Sequence, residues 1–109
     1  MPLDLPSIDD IYFSEEFKVM VRSNKEFLIS RSQRFPIIDK ALVEAHKYNF
    51  YNVLRILTNG SITQSHAWVI AYINDIKNPD QNISGMESYL YVDQTVIDQM
   101  LSRMNTERS

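Results

Sequence analysis

Apolar residues recur at helical spacing in three segments of the chain, which predicts helices at about 14–31, 49–58 and 94–105. A continuous apolar run predicts a further helix at about 64–74. Asn49 is suited to cap the second helix, because its side chain accepts hydrogen bonds from free backbone N–H groups. The first segment is ambiguous, since Phe17, Val19 and Val21 also alternate as they would in a strand. Ser14 followed by two glutamates favours a helix start, so a helix is the preferred interpretation there.

Two further segments have the alternation or the aromatic and β-branched composition of short strands. They predict strands at about 41–46 ("KALVEAHKY") and 87–92 ("ESYLYVD"). Pro36 is expected to end whatever element precedes it and to hold Phe35 extended. The predicted fold class is therefore α+β. The chain is predicted to consist of an N-terminal arm and docking segment at 1–40, a small βααβ unit at 41–93, and a C-terminal helix and tail at 94–109.

The predicted helix at 64–74 is apolar on every side, from Ala67 to Ile73, which indicates a helix covered from at least two directions. Asn74 is expected to end it, either by capping with its side chain or by adopting a left-handed conformation. Pro79 would keep the helix from resuming, and Gly85 would form a turn before the second strand. The predicted structural core is Phe50, Leu54, Leu57, Trp68, Ile70, Ala71, Ile73 and Leu90.

The segment "FYNVLRIL…HAWVIAYINDIKNPDQNISGMESYLYVD" resembles the lysin-motif (LysM)-like domain of baseplate wedge proteins from contractile-tail bacteriophages. The resemblance covers roughly residues 41–93 and is carried by Trp68, Ile70, Ala71, Asn74, Ile76, Pro79 and Gly85. Two features depart from the LysM pattern. "HKYNF" replaces the Gly-Asp that usually opens the first helix, and Val92-Asp93 stands where the last strand usually has a proline. Both departures argue against a transfer of sugar binding, and neither argues against the fold.

The resemblance implies a structural virion component, assembled in the host cytoplasm, that holds neighbouring wedge, tube or sheath proteins together. It implies many copies around a six-fold axis, with no catalysis, cofactor, metal or small-molecule substrate. Two other functions stay open. One is a carbohydrate-binding LysM module for N-acetylglucosamine polymers, with a groove between the 47–50 and 77–86 loops. The other is a small cytosolic regulator or nucleic-acid adaptor. A nucleic-acid partner is less favoured than a protein partner.

Charge is distributed unevenly along a chain whose formal net charge is −3. Residues 1–16 carry five acidic side chains and no basic one, whereas residues 18–34 carry five basic side chains and one acidic one. This pattern suits a solvated arm whose ends complement each other, or a docking surface for an acidic protein partner. The predicted partner-docking residues are Phe13, Phe17, Arg22, Phe27, Arg31 and Arg34, and residues 1–35 are expected to pack largely against other chains.

The chain has few of the residue patterns that usually bind metals or phosphate or take part in catalysis. Cysteine is absent, so disulfides and thiolate metal sites are excluded. His46 and His66 lie 20 positions apart with no further ligand at metal spacing, so each is expected to be structural. The adjacent carboxylate pairs point in different directions, and the two glycines form no phosphate loop. The opening "MPLDLPSIDD" lacks the features of a signal peptide, and no apolar run is long enough to span a bilayer, so neither secretion nor membrane insertion is expected.

Overall fold

The computed structural model describes residues 15–78 and 80–108 as a small α+β domain, which confirms the predicted fold class. Phe13 and Pro79, which the sequence analysis singled out, lie outside the described residues. In chain order the elements are α1 (Glu15–Ser23), α2 (Lys25–Ser30), β1 (Gln33–Pro36), α3 (Lys40–Ala45), α4 (Phe50–Leu57), α5 (Gln64–Ile73), β2 (Ser88–Tyr91) and α6 (Gln94–Arg108).

The strands β1 and β2 form a two-stranded antiparallel sheet in which Phe35 pairs with Tyr89 and Pro36 pairs with Ser88. The Ile37 N–H donates to Glu87 O at 2.8 Å, one position beyond Pro36. Inward-facing and outward-facing backbone groups alternate along an antiparallel strand, so the proline nitrogen, which has no hydrogen, faces away from β2. Pro36 is therefore the last residue of β1, and Phe35 is extended, as the sequence analysis expected.

The strand predicted at 41–46 is wrong, because Lys40–Ala45 forms the helix α3. The Asp39 side chain accepts a hydrogen bond from the Leu42 backbone N–H at 3.1 Å and so caps the helix. Val43 is its one buried residue, and a single buried position fits a short helix as well as a strand. The sheet position that the sequence analysis assigned to 41–46 is occupied by β1.

The predicted helix at 14–31 is confirmed with a break at Asn24, which separates α1 from α2. The Asn24 side-chain amide donates to Met20 O at 2.8 Å, an alternative to continuing the helix that asparagine commonly offers. Phe17, Val21 and Leu28 are fully buried in this chain's own core, so the described part of the segment 1–35 does not pack largely against other chains, contrary to the expectation. Phe17 was predicted to dock a partner, and this is wrong: its ring packs 6.1 Å from that of Trp68, so the chain itself covers it.

The helix α5 is the centre of the fold and contacts α2, α4 and β2. Five of the predicted core residues, Phe50, Leu54, Ile70, Ala71 and Ile73, are buried here. The other three, Leu57, Trp68 and Leu90, are only partly buried. The Trp68 ring contacts those of Phe17 and Tyr72.

The C-terminal end of α5 is joined to β2 through the side chain of Asn74. Its Nδ2 donates to Ile70 O at 2.7 Å and to Leu90 O at 2.9 Å, and its Oδ1 accepts from the Leu90 N–H at 2.8 Å. The first of these bonds is the side-chain cap that the sequence predicts. The left-handed conformation occurs one residue later, at Asp75 with φ 62°. Gly85 also has a positive φ, 80°, in the turn before β2.

A candidate docking groove between α1 and α5

A surface groove of about 380 Å³ follows one side of α5. One wall is α1, and the other is formed by Tyr51 of α4 together with the segment 76–78 that follows α5. The groove exists because α5 is apolar all round while its neighbours cover it incompletely on this side. Apolar side chains of α5 that meet solvent beside a cleft are typical of a protein-binding surface.

Two aromatic side chains of α5 form the floor of this groove. Trp68 and Tyr72 are four residues apart, so they lie on one face of the helix. Their rings stack with a centroid distance of 5.7 Å and an interplanar angle of 5°, and both are partly buried. Phe17 supports the Trp68 ring from the core side. The result is a fixed, flat apolar surface that is still open to solvent.

Positive charge surrounds this aromatic floor. Lys18 and Arg22 lie one helical turn apart on α1, and Lys77 lies on the opposite side. No acidic side chain is among the described residues that line the groove. Arg22 and Lys77 are exposed, and Lys18 is partly exposed, so their charges are available to a ligand. The groove therefore combines an apolar floor with a basic rim.

A fourth cation, Lys25, is already paired. Its Nζ lies 2.8 Å from Asp75 Oδ1 and 5.0 Å from the centroid of the Tyr72 ring. The hydrogen bond between the two side chains raises the pKa of Lys25 and lowers the pKa of Asp75. This pair braces the Tyr72 ring at the end of the groove, so its charge is not offered to a ligand as that of Arg22 is.

The structure separates the predicted docking residues. Arg22 lines the groove, whereas Phe27 and Arg31 line a smaller cavity of about 180 Å³ between α1, α2 and α6. Arg103 lines that cavity as well, and the Arg31 guanidinium lies 5.4 Å from the centroid of the Phe27 ring. Arg34 lies apart from both sites, on the sheet, and donates to Ser88 Oγ at 3.0 Å.

Sequence reasoning missed Lys18, Tyr72 and Lys77 as site residues and assigned Trp68 to the core. The spacing of Trp68 and Tyr72 was a usable signal, since aromatic residues four apart share a helix face. What the sequence does not contain is the position of α1, which leaves this face of α5 partly open.

The loops that would flank a sugar-binding groove are joined to each other. The Ile83 N–H donates to Lys47 O at 2.8 Å, and Ser84 Oγ donates to Glu44 Oε2 at 2.7 Å. The bond from Ser84 lowers the pKa of the Glu44 carboxyl group. The bond between Ile83 and Lys47 thus links the two loops between which the carbohydrate hypothesis places a groove.

The two histidines occupy structural positions. His66 is buried, its Nε2 lies 2.7 Å from Val92 O, and burial lowers its pKa. His46 Nδ1 lies 3.0 Å from the side-chain amide of Asn52. Within 15–78 and 80–108, no three His, Cys, Asp or Glu side chains are placed to hold a metal ion together.

Comparisons with known proteins add no further constraint: no protein-family model, no curated protein and no solved structure matches the chain. None of the helices in the described part of the chain is long and apolar enough to cross a membrane. The interpretation of the groove therefore depends on its own geometry.

Proposed function

We propose that the protein is a non-catalytic assembly subunit, similar to the LysM-like baseplate wedge proteins of contractile-tail phages, that holds neighbouring tail proteins together. The observation that carries the proposal is the groove on α5, with the stacked rings of Trp68 and Tyr72 below a rim of Lys18, Arg22 and Lys77. The groove takes an apolar, acidic segment of a neighbouring protein.

The composition of the groove suits a protein partner. Trp, Tyr and Arg are the residues that most often dominate the binding energy of protein interfaces. The Trp68 and Tyr72 rings are held in place by Phe17 and by Lys25, so little conformational freedom is lost when a partner covers them. The cationic rim adds specificity for an acidic segment and speeds its encounter with the groove.

The arrangement around α5 supports the LysM-like part of the proposal. The helices α4 and α5 lie in sequence between two strands that pair antiparallel, β1 and β2. Asn74 ends α5 and its side chain bonds to Leu90 in β2, which explains physically why an asparagine suits this position of the resembling segment. The chain differs from a plain βααβ unit in that α3 is inserted between β1 and α4.

The proposed partners are other wedge, tube or sheath proteins, and the proposed location is the virion, with several copies in a symmetric particle. The test is complementation of a phage that lacks the gene. The groove variant is Arg22→Glu with Tyr72→Ala. The control variant is Lys40→Glu with Tyr48→Ala, which likewise reverses one positive charge and truncates one tyrosine, at exposed residues outside the groove.

We expect the control chain to be present in purified particles at the wild-type level and the groove variant to be lost from them. Both chains must first show the wild-type far-UV circular dichroism. Equal amounts of a folded groove variant and the control in the particles would contradict the proposal.

A second candidate function is binding of single-stranded nucleic acid, because stacked aromatic rings beside basic side chains also suit unpaired bases and phosphates. A titration of the chain with oligothymidylate, followed by Trp68 fluorescence, separates the two functions. The assembly proposal predicts no saturable quenching at about 0.15 M salt. Saturable quenching that weakens steeply as salt rises would favour the second candidate.

A further inference from the structure

We infer that the groove on α5 binds the acidic segment 1–14 of a second copy of the chain. The inference rests on the proposed function, because only an assembly brings several copies together. It names one partner of the groove, and that partner is present in the printed sequence.

Charge complementarity is the first argument. The groove presents Lys18, Arg22 and Lys77 and, among the described residues, is lined by no acidic side chain. The segment 1–14 contains Asp4, Asp9 and Asp10 and no Lys, Arg or His. Opposite charges on the two surfaces favour this pairing over contacts between like surfaces and set its register.

The apolar residues of the segment supply the second argument. The floor of the groove is the stacked pair Trp68 and Tyr72, which needs an apolar or aromatic side chain to cover it. Directly after Asp9 and Asp10 the segment reads "IYF", three large apolar or aromatic residues in succession. Acidic and apolar groups thus follow each other closely in the segment, as basic and aromatic groups do in the groove.

A second copy is favoured over the chain's own segment by the residues that join the segment to α1. For Asp9 and Asp10 to reach Arg22 of the same chain, the backbone must reverse direction within residues 11–14. Of the residue types that favour tight reversals, "IYFS" contains only Ser14, which the sequence analysis assigns to the start of the first helix. Its β-branched and aromatic side chains favour extended backbone instead. We therefore take the segment of a second copy, and not the chain's own, as the occupant of the groove.

The length of the segment is sufficient for such a contact. Fourteen extended residues span roughly 46–50 Å. The basic side of the groove on α1, from Lys18 to Arg22, is only about 6 Å long at the rise of an α-helix. The segment is therefore several times longer than the basic side of the groove that it is proposed to cover. Each copy then offers one segment and one groove, a head-to-tail contact that builds a closed ring or an open chain of subunits.

The test is sedimentation velocity of the full-length chain over a range of concentrations, with two charge-reversed variants. The groove variant carries Lys18→Glu and Arg22→Glu, and the segment variant carries Asp9→Lys and Asp10→Lys. We expect the wild-type chain to self-associate, and each variant alone to associate at least about tenfold more weakly because like charges then face each other. Lys40→Glu, an exposed change outside the groove, should leave the association unchanged.

A mixture of the two variants decides the inference. The basic segment of one variant matches the acidic groove of the other, and the remaining segment and groove are wild type. We therefore expect the mixture to regain association at the wild-type strength. A wild-type chain that stays monomeric up to about 1 mM, or a mixture that associates no better than its separate components, would overturn the inference. Loss of the groove variant from particles would in that case still support the proposed function, so the two failures are distinguishable.

Discussion

Replacing Asn74 with alanine removes the side chain that joins the end of α5 to β2. Three hydrogen bonds are lost: one to Ile70 O within the helix, and two that pair with both backbone groups of Leu90. A neutral hydrogen bond contributes about 1 kcal/mol net, and a buried group left without a partner costs about 1–3 kcal/mol. Since Leu90 is only partly buried, water can replace part of what is lost. We therefore expect Asn74→Ala to lower the free energy of unfolding by about 3 kcal/mol.

The measurement is urea denaturation followed by far-UV circular dichroism, with the slope of the transition checked against the wild type. Asn74→Asp separates hydrogen bonding from shape. Its carboxylate can still accept from the Leu90 N–H but would face two carbonyl oxygens, so it should destabilise at least as much as alanine. Asn78→Ala, at an exposed asparagine nearby, should change stability by less than about 0.5 kcal/mol. A loss below about 1 kcal/mol for Asn74→Ala would refute the proposed link between α5 and β2.

Three further substitutions test the packing, the capping and the pH dependence. Phe17→Ala should lower the free energy of unfolding by about 3–5 kcal/mol, because Phe17 is fully buried. Val19→Ala, on the exposed side of α1, should lower it by less than about 0.5 kcal/mol, and similar losses for the two variants in urea denaturation would contradict the assignment of Phe17 to the core. Asp39→Ala should cost about 0.5–2 kcal/mol through loss of the cap on α3, and an unchanged urea midpoint would argue against that cap. Burial lowers the pKa of His66 in the folded state, so the unfolded chain binds the proton more tightly and stability falls as pH decreases through 6.5, the usual value. The urea midpoint should drop between pH 7.5 and pH 5 in the wild type and drop less in His66→Gln; an equal drop in both would show that other groups cause it.

Local signals in the sequence were sufficient for much of the fold. The helices at 49–58, 64–74 and 94–105 and the strand at 87–92 are confirmed as α4, α5, α6 and β2. Asn49 caps α4 as predicted, with its side chain accepting from the Asn52 N–H at 3.1 Å. These elements were predictable because their apolar spacing and their bounding residues favour the same structure.

The first strand was not predictable from spacing alone. A six-residue segment with one buried residue, Val43, fits a helix and a strand equally well, and the cap from Asp39 decides between them. The strand β1 ends at Pro36, as expected, but the sequence analysis did not identify Gln33–Pro36 as a strand, because a proline is tolerated in an edge strand only where its nitrogen faces away from the partner. Which way that nitrogen faces depends on the register with β2, a contact between residues more than 50 positions apart.

The candidate site was predictable in its charge and not in its position. The basic character of the region around Arg22 is visible in the sequence, and Arg22 does line the groove. Phe17 and Lys18 are adjacent in sequence, yet one faces the core and the other the groove. The sequence pattern marks α1 as amphipathic, but the packing of α1 against Trp68 determines which apolar residues stay open to solvent.

The central claim, that a protein partner covers the groove in the assembled state, is tested most directly by hydroxyl-radical footprinting of the chain free in solution and in purified particles. Trp68 and Tyr72 are the side chains to follow, and Tyr48, 58% exposed and outside the groove, is the internal reference. We predict that oxidation of Trp68 and Tyr72, relative to that of Tyr48, is at least about fivefold lower in the particle than in the free chain, because a docked segment excludes water from the aromatic floor. Equal relative oxidation of the groove residues in the two states would contradict the claim.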